Sequence, residues 1–292
     1  MSTDVELVVN GKCELGEGPI WDDRAGRLWW LNILAKELHQ YDPATKQDRV
    51  LSLPQMPGTV VGRASGGLML ALENGFAAYD PETERLEMLV DPEADKPGNR
   101  FNDGKCDPAG RFVAGTMQYD AAEPDGALYS LDLDGTVRKL EDHVYCSNGL
   151  AWSEDGKTMY YIDSMCCRVD AFDYDVSTGT IANRRPVVEI PKAEGLPDGM
   201  TIDVDDNIWV AHFGGGCVSH WDPRTGRRLG ELRLPVTNIT ACWFGGADLE
   251  DLYITTAFEG MSDEERAANP ESGGLYLSRP GVRGRPAVLF GG

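Results

Sequence analysis

No stretch of the 292-residue sequence approaches the roughly 18 consecutive apolar residues that a membrane-spanning helix needs. The opening MSTDVELVVN has no basic segment running into an apolar core, so no secretory leader is read there. Positive charge is scarce: 27 Lys and Arg stand against 48 Asp and Glu, a formal net charge of −21. A body of that sign repels phosphate, so neither nucleic acid nor an anionic membrane is expected as a partner. The seven cysteines (13, 106, 146, 166, 167, 217 and 242) are odd in number and include no CxxC pair, unlike a zinc knuckle or a disulfide framework. Adjacent Cys166 and Cys167 would point to opposite faces of a strand. Reduced, largely buried thiols in a cytoplasm are the expectation.

Familiar catalytic signatures are missing as well. GxSxG and HExxH do not occur, which argues against a serine hydrolase or a zincin. The four histidines (39, 143, 212 and 220) show no ligand-like spacing, and His212 in WVAHFGGGC reads as a hydrogen-bonded imidazole at a strand end. The acidic strings DLDGT and DVDDN lack the spacing and terminal Glu of an EF-hand loop and read as hairpin turns. FGGGC lacks the strand-to-helix context of a phosphate loop and reads as a tight connection. Helical periodicity is nearly absent, apart from SDEERAA near the end.

What is present is a repeat. A short apolar run, a turn such as DDRAG, DPAG, SEDG or DVDDN, and two further apolar runs recur roughly every 40 to 50 residues. The clearest copies are GPIWDDRAGRLWWLNILAKELHQYDPATK, NDGKCDPAGRFVAGTM with GALYSLDLDGTV, NGLAWSEDGKTMYYIDSMCCRVDAFDYDVSTG and DGMTIDVDDNIWVAHFGGGCVSHWDPRTG; weaker copies begin near Gly58 and Thr240. Runs of about five residues rich in Trp, Tyr, Val and Ile, bounded by Asp, Gly and Pro, are strands joined by tight turns. Three or four strands per copy at this period predict an all-β, six-bladed β-propeller. No linker or charge block interrupts the series, so residues 1–292 read as one domain. A closed propeller has no long free sheet edge, and a monomer is expected.

In a propeller the first strand of each blade lines the central channel, so its starting residues converge at one mouth. Here those starts are LGEGP with Glu17, NRFND from Asn99 to Asp103, YCSNGL with Asn148, and GLPDGM with Asp198. Two carboxylates and two amide oxygens in equivalent repeat positions make a hard-oxygen site for a divalent cation. Asn-Gly and Asp-Gly are equally common turn dipeptides, so Asn148-Gly149 and Asp198-Gly199 taken singly read as turns. Repeat phase alone leaves both readings open. Asp103 should face away from Asn102 on a strand and is taken as structural.

At these motifs the sequence resembles the gluconolactonase family that also contains regucalcin (senescence marker protein) and the luciferin-regenerating enzymes. RFNDGKCDPAGRFVAGTM, SNGLAWSEDGKTMYYIDS and LPDGM carry the likeness in the right order, and it runs from LGEGPIWD to PESGGLY. The resemblance implies a propeller with one divalent metal ion in the channel, held by Glu17, Asn148 and Asp198. It implies substrate contacts from Arg100 and Asn102 of RFND and from Asp120 of GTMQYD, where the regucalcin branch carries Glu. The oxygen donors suit calcium, magnesium or manganese, and zinc or ferrous iron could take the same seats. The implied activity is metal-dependent hydrolysis of a small sugar lactone to its aldonic acid, with Asp198 as ligand and general base. A calcium-binding regulator and an organophosphate or aryl-ester hydrolase are the alternatives.

Overall fold

The computed structural model describes residues 4–292. Its strands form six antiparallel sheets of four strands each, arranged as the blades of a β-propeller. The inner strands are Gly16–Asp22, Pro57–Gly62, Asn99–Cys106, Ser147–Trp152, Leu196–Ile202 and Asn238–Gly245, for blades 1 to 6 in turn. They are almost wholly buried, whereas outermost strands such as Arg85–Val90 and Thr180–Glu189 are largely exposed. That gradient explains part of the sequence pattern: outer runs tolerate scattered charge, whereas the polar residues of inner runs are held at the channel. The helical reading near the end is borne out by Asp263–Ala268, whose Ser262 and Glu265 form a reciprocal capping box.

Blade 6 is completed from both ends of the chain. Val5–Val9 is its outermost strand and pairs with Leu275–Ser278, which continues through Asp251–Ala257 to the inner strand. This closure leaves no gap between the first and last repeats, and it was not legible in the repeat pattern. The tail then crosses the far end of the channel as a strap. Gly284 N–H donates to the Leu249 carbonyl at 2.8 Å, Ala64 N–H to Phe290 at 2.8 Å and Gly291 N–H to Gly110 at 3.0 Å.

Three histidines are absorbed by the blades. His39 Nδ1 lies 2.6 Å from Asp48, which also accepts from the Trp30 indole at 3.0 Å. In blade 5, Asp203 accepts from Trp209 and from His220, each at 3.0 Å. His212 is fully buried, with Nδ1 2.9 Å from the Glu194 carbonyl and Nε2 2.6 Å from Ser219 Oγ. All seven cysteines are free; Cys13, Cys106, Cys217 and Cys242 are buried, while Cys146, Cys166 and Cys167 are partly so. Cys166 and Cys167 occupy a 3₁₀ turn and its left-handed cap, not the strand expected for them.

The functional detail of the fold is a register break in every inner strand. It falls between Glu17 and Ile20, Pro57 and Thr59, Phe101 and Gly104, Asn148 and Leu150, Pro197 and Met200, and Ile239 and Ala241. A bulge of this kind leaves a residue unpaired and re-aims side chains. Asn148-Gly149 and Asp198-Gly199 are therefore not turns, as the dipeptides alone indicated, but bulge positions within strands. Glycine is needed there because inner strands crowd together at the axis. A Cβ on Gly199 would sit 2.4 Å from the Ala241 Cβ, and one on Gly149 2.7 Å from the Met200 Cβ.

Candidate active site

The bulges gather the sequence-predicted residues at one mouth of the channel. Glu17, Arg100, Asn102, Asp120, Asn148 and Asp198 all line one open depression of about 970 Å³, with Tyr119, Cys146, Ser164 and Glu259 among their neighbours. In each of these strands the donor sits at the break in ladder pairing: Glu17 and Asn148 are the last paired residues before it, and Asp198 lies within it.

Glu17 and Asp198 are 6% and 7% exposed. Glu17 accepts at 2.8 Å from the N–H of Gly18, and Asp198 accepts from the backbone of Gly199. Burial pushes the Glu17 carboxyl up to about 8, with the nearby Asp103 charge adding to the rise and Arg100 and Lys105 opposing it weakly. Burial and then the Glu17 charge push Asp198 well above the ordinary carboxylate range. Two desolvated carboxylates repelling each other are an unfavourable arrangement unless a cation neutralises them.

Asn148 supplies a neutral oxygen. Its Nδ2 donates to Ser164 Oγ at 2.8 Å, and Ser164 Oγ in turn donates at 2.6 Å to the carbonyl of Pro197. The amide nitrogen is thus held by the wall, and one hydroxyl ties the Asn148 strand to the residue before Asp198. Sequence reasoning missed Ser164, since no motif distinguishes a serine that orients a neighbour from any other. With two carboxylates and an oriented amide oxygen, these residues fit a hard divalent cation. No three of the described His, Cys, Asp and Glu side chains lie close enough to enclose a metal by themselves, so the amide is an essential member of any such set.

Asn102 proves to be a brace. Its Oδ1 accepts from Arg100 at 2.8 Å, while its Nδ2 donates to the Ser147 carbonyl at 2.8 Å and to Asn148 Oδ1 at 3.1 Å. Arg100 is 6% exposed and spends one terminal nitrogen on Asn102 and on the Phe101 carbonyl. Its other guanidinium N–H groups have no acceptor among the described residues and belong to a side chain that lines the depression. Asp120 sits exposed on the rim, and its carboxylate caps its own turn through the Ala122 N–H at 3.2 Å.

Asp103, taken from the sequence as structural, also faces the channel. It is 6% exposed, lines a small channel cavity with Gly18, Thr59 and Lys105, and is the largest charge acting on Glu17. Asn102 and Asp103 both lie inside the bulge, with Asn102 lining the open depression and Asp103 this separate cavity. Glu259, also missed, comes from the connection between Asp251–Ala257 and Leu275–Ser278, the second and third strands of blade 6. Burial raises its carboxyl, and Arg100 opposes that rise.

The raised carboxyls fix a pH dependence. In the metal-free protein, folded Glu17 and Asp198 keep protons that the unfolded chain would release, so stability falls as pH rises from the ordinary carboxylate range towards about 8. The thermal midpoint of chelator-treated protein is expected to drop by several degrees between pH 5.5 and 8. A saturating divalent cation should abolish the drop, because it binds the ionised form. A midpoint of the chelated protein that climbs over the same interval would contradict the raised pair.

A closed six-bladed propeller with an oxygen-donor cluster at one mouth defines the class of protein. The chain belongs to the SMP-30/gluconolactonase/LRE-like family, whose model matches residues 15–258. It is 43% identical to regucalcin of Danio rerio and 41% identical to regucalcin of Xenopus laevis, covering all of this chain and 99% of either relative. Among solved structures, a luciferin-regenerating enzyme superposes with a TM-score of 0.92 at 34% identity, each chain covered to 99%. A calcium-binding regucalcin from Agrobacterium tumefaciens superposes at 0.95 and 30% identity, with 99% of this chain and 97% of that one covered. A gluconolactonase from Xanthomonas campestris, at 21% identity and a TM-score of 0.77 over 94% of this chain and 88% of that one, shares the fold.

Proposed function

We propose that this protein is a metal-dependent lactonase that opens a small sugar lactone to its aldonic acid. The observation carrying the reading is the convergence of Glu17, Asp198 and the oriented Asn148 amide with Arg100 in one polar depression. A divalent ion held by Glu17, Asn148 and Asp198 would supply Lewis-acid polarisation of the ester carbonyl and acidify water. The remaining chemistry falls to the chain. Arg100 presents forked donors to the lactone oxygens and then to the product carboxylate. Asn102 holds Arg100 and Asn148 in mutual register. Asp120 on the rim accepts from sugar hydroxyls, and Asp198 is placed to take a proton from the attacking water. A calcium-binding role alone would not need Arg100 buried beside the oxygen donors.

The test is proton release at constant pH from a panel of aldono-1,4- and 1,5-lactones, with uncatalysed opening subtracted. Chelated protein should give background rates. Restoring Ca²⁺, Mg²⁺, Mn²⁺, Zn²⁺ or Fe²⁺ should recover turnover for at least one ion. Arg100→Met should then lower kcat/KM by about 100-fold, the loss expected for a buried charge-assisted contact to the reacting ester. Background rates for every ion and lactone would sink the assignment and leave a calcium-binding or aryl-ester reading in its place.

A further inference from the structure

Lys105 is a cation that the proposed chemistry does not use. It sits at the end of the inner strand of blade 3, two residues past Asp103. Its Nζ donates to the carbonyl of Leu150 in blade 4 at 3.1 Å and to the carbonyl of Met200 in blade 5. The same Nζ stands 5.2 Å from the centroid of the Trp243 ring in blade 6. Two carbonyl oxygens and an aromatic face from three different blades form a seat for a monovalent cation. Lys105 also lines both the small cavity that holds Asp103 and the cavity beneath the C-terminal strap. It therefore stands between the candidate metal site and the far end of the channel.

The Lys105 charge acts on two of the buried carboxylates, Glu17 and Asp103. Glu17, Asp103 and Asp198 act on one another electrostatically, and Lys105 is the charge that most opposes the burial of Asp103. Arg100 and Glu259 offset each other at the mouth. Three carboxylates remain, which one divalent ion cannot neutralise. We propose that Lys105 is a positioning residue for the metal site, its ammonium seated on the Leu150 and Met200 carbonyls to supply the one positive charge that, with a single divalent ion, balances Glu17, Asp103 and Asp198. This rests on the metal reading given above.

Calorimetric titration of the full-length protein with Ca²⁺ tests it, using Lys105→Met, Asp103→Asn and the double variant. Lys105→Met should bind Ca²⁺ about ten-fold more tightly and Asp103→Asn about ten-fold more weakly, as expected for one unit charge acting through a partly screened interior. The double variant should return to within about three-fold of the wild type, because long-range charge effects of opposite sign cancel. The thermal midpoint of chelated Lys105→Met should be low and should recover in ammonium chloride but not in tetramethylammonium chloride at equal ionic strength, since only the small ion fits the vacated seat. Unchanged or weaker Ca²⁺ binding in Lys105→Met, with no preference for ammonium, would overturn the proposal. Should Lys105→Met fail to fold, Asp103→Asn decides, and wild-type affinity in that variant overturns it. A wild type that binds none of Ca²⁺, Mn²⁺ and Zn²⁺ defeats the metal reading itself, a result separate from any difference between variants.

Discussion

Replacing Asp198 by Asn should move activity and stability in opposite directions. Turnover of the best lactone is expected to fall by about 1,000-fold or more, since one change removes an anionic oxygen donor and the group placed to accept a proton. The chelated variant should nevertheless be more stable than chelated wild type. Asp198 is buried and repelled by Glu17, Asp103 and Glu259, so a neutral amide of the same shape relieves desolvation and repulsion together. A gain of about 1–2 kcal/mol, roughly 2–3 °C in thermal midpoint for a chain of this size, is expected at pH 8. It should shrink towards lower pH, where the raised wild-type carboxyl takes up its proton. Lactone assays and thermal scans on the same two preparations check both halves. A variant that loses activity and is also destabilised at pH 8 would mean Asp198 is held by favourable contacts, contrary to an arrangement kept for an incoming cation.

The second large effect lies one residue further on. An alanine at Gly199 would place its Cβ 2.4 Å from the Ala241 Cβ and 2.9 Å from the Thr240 carbonyl, contacts that backbone and a packed neighbour cannot yield by rotation. Blades 5 and 6 must separate, at a cost of about 3 kcal/mol. Because the displaced strand carries Asp198, divalent-cation affinity should fall with stability. Gly98→Ala is the matched control: nothing lies within 4 Å of its added Cβ, and denaturant midpoints should be unchanged within error. Equal stability of the two variants would show that the inner strands are not in the close contact described.

Much of this molecule is legible in its sequence because both its fold and its site are periodic. Six blades follow from a turn-and-strand unit recurring at one spacing, and repeat phase puts Glu17, Asn148 and Asp198 at equivalent points of their blades. The motif resemblance directs attention to Arg100, Asn102 and Asp120, which line the same depression. Strand alternation separates Asn102 from Asp103 but does not reveal that Asp103, inside the bulge, faces a channel cavity of its own.

Other features arise only between blades. Ser164 joins the Asn148 amide to the Pro197 carbonyl, and Lys105 reaches carbonyls 45 and 95 residues away. Glu259 enters the mouth from a long connection between two strands of blade 6, and the first strand completes that blade. Local pattern determined the strands, the blade count and which residues could face the axis, since turn chemistry and period-two burial act within a few residues. The tertiary structure alone decided which side chains brace, balance or crowd one another, because those relations depend on how six independent sheets close into a ring.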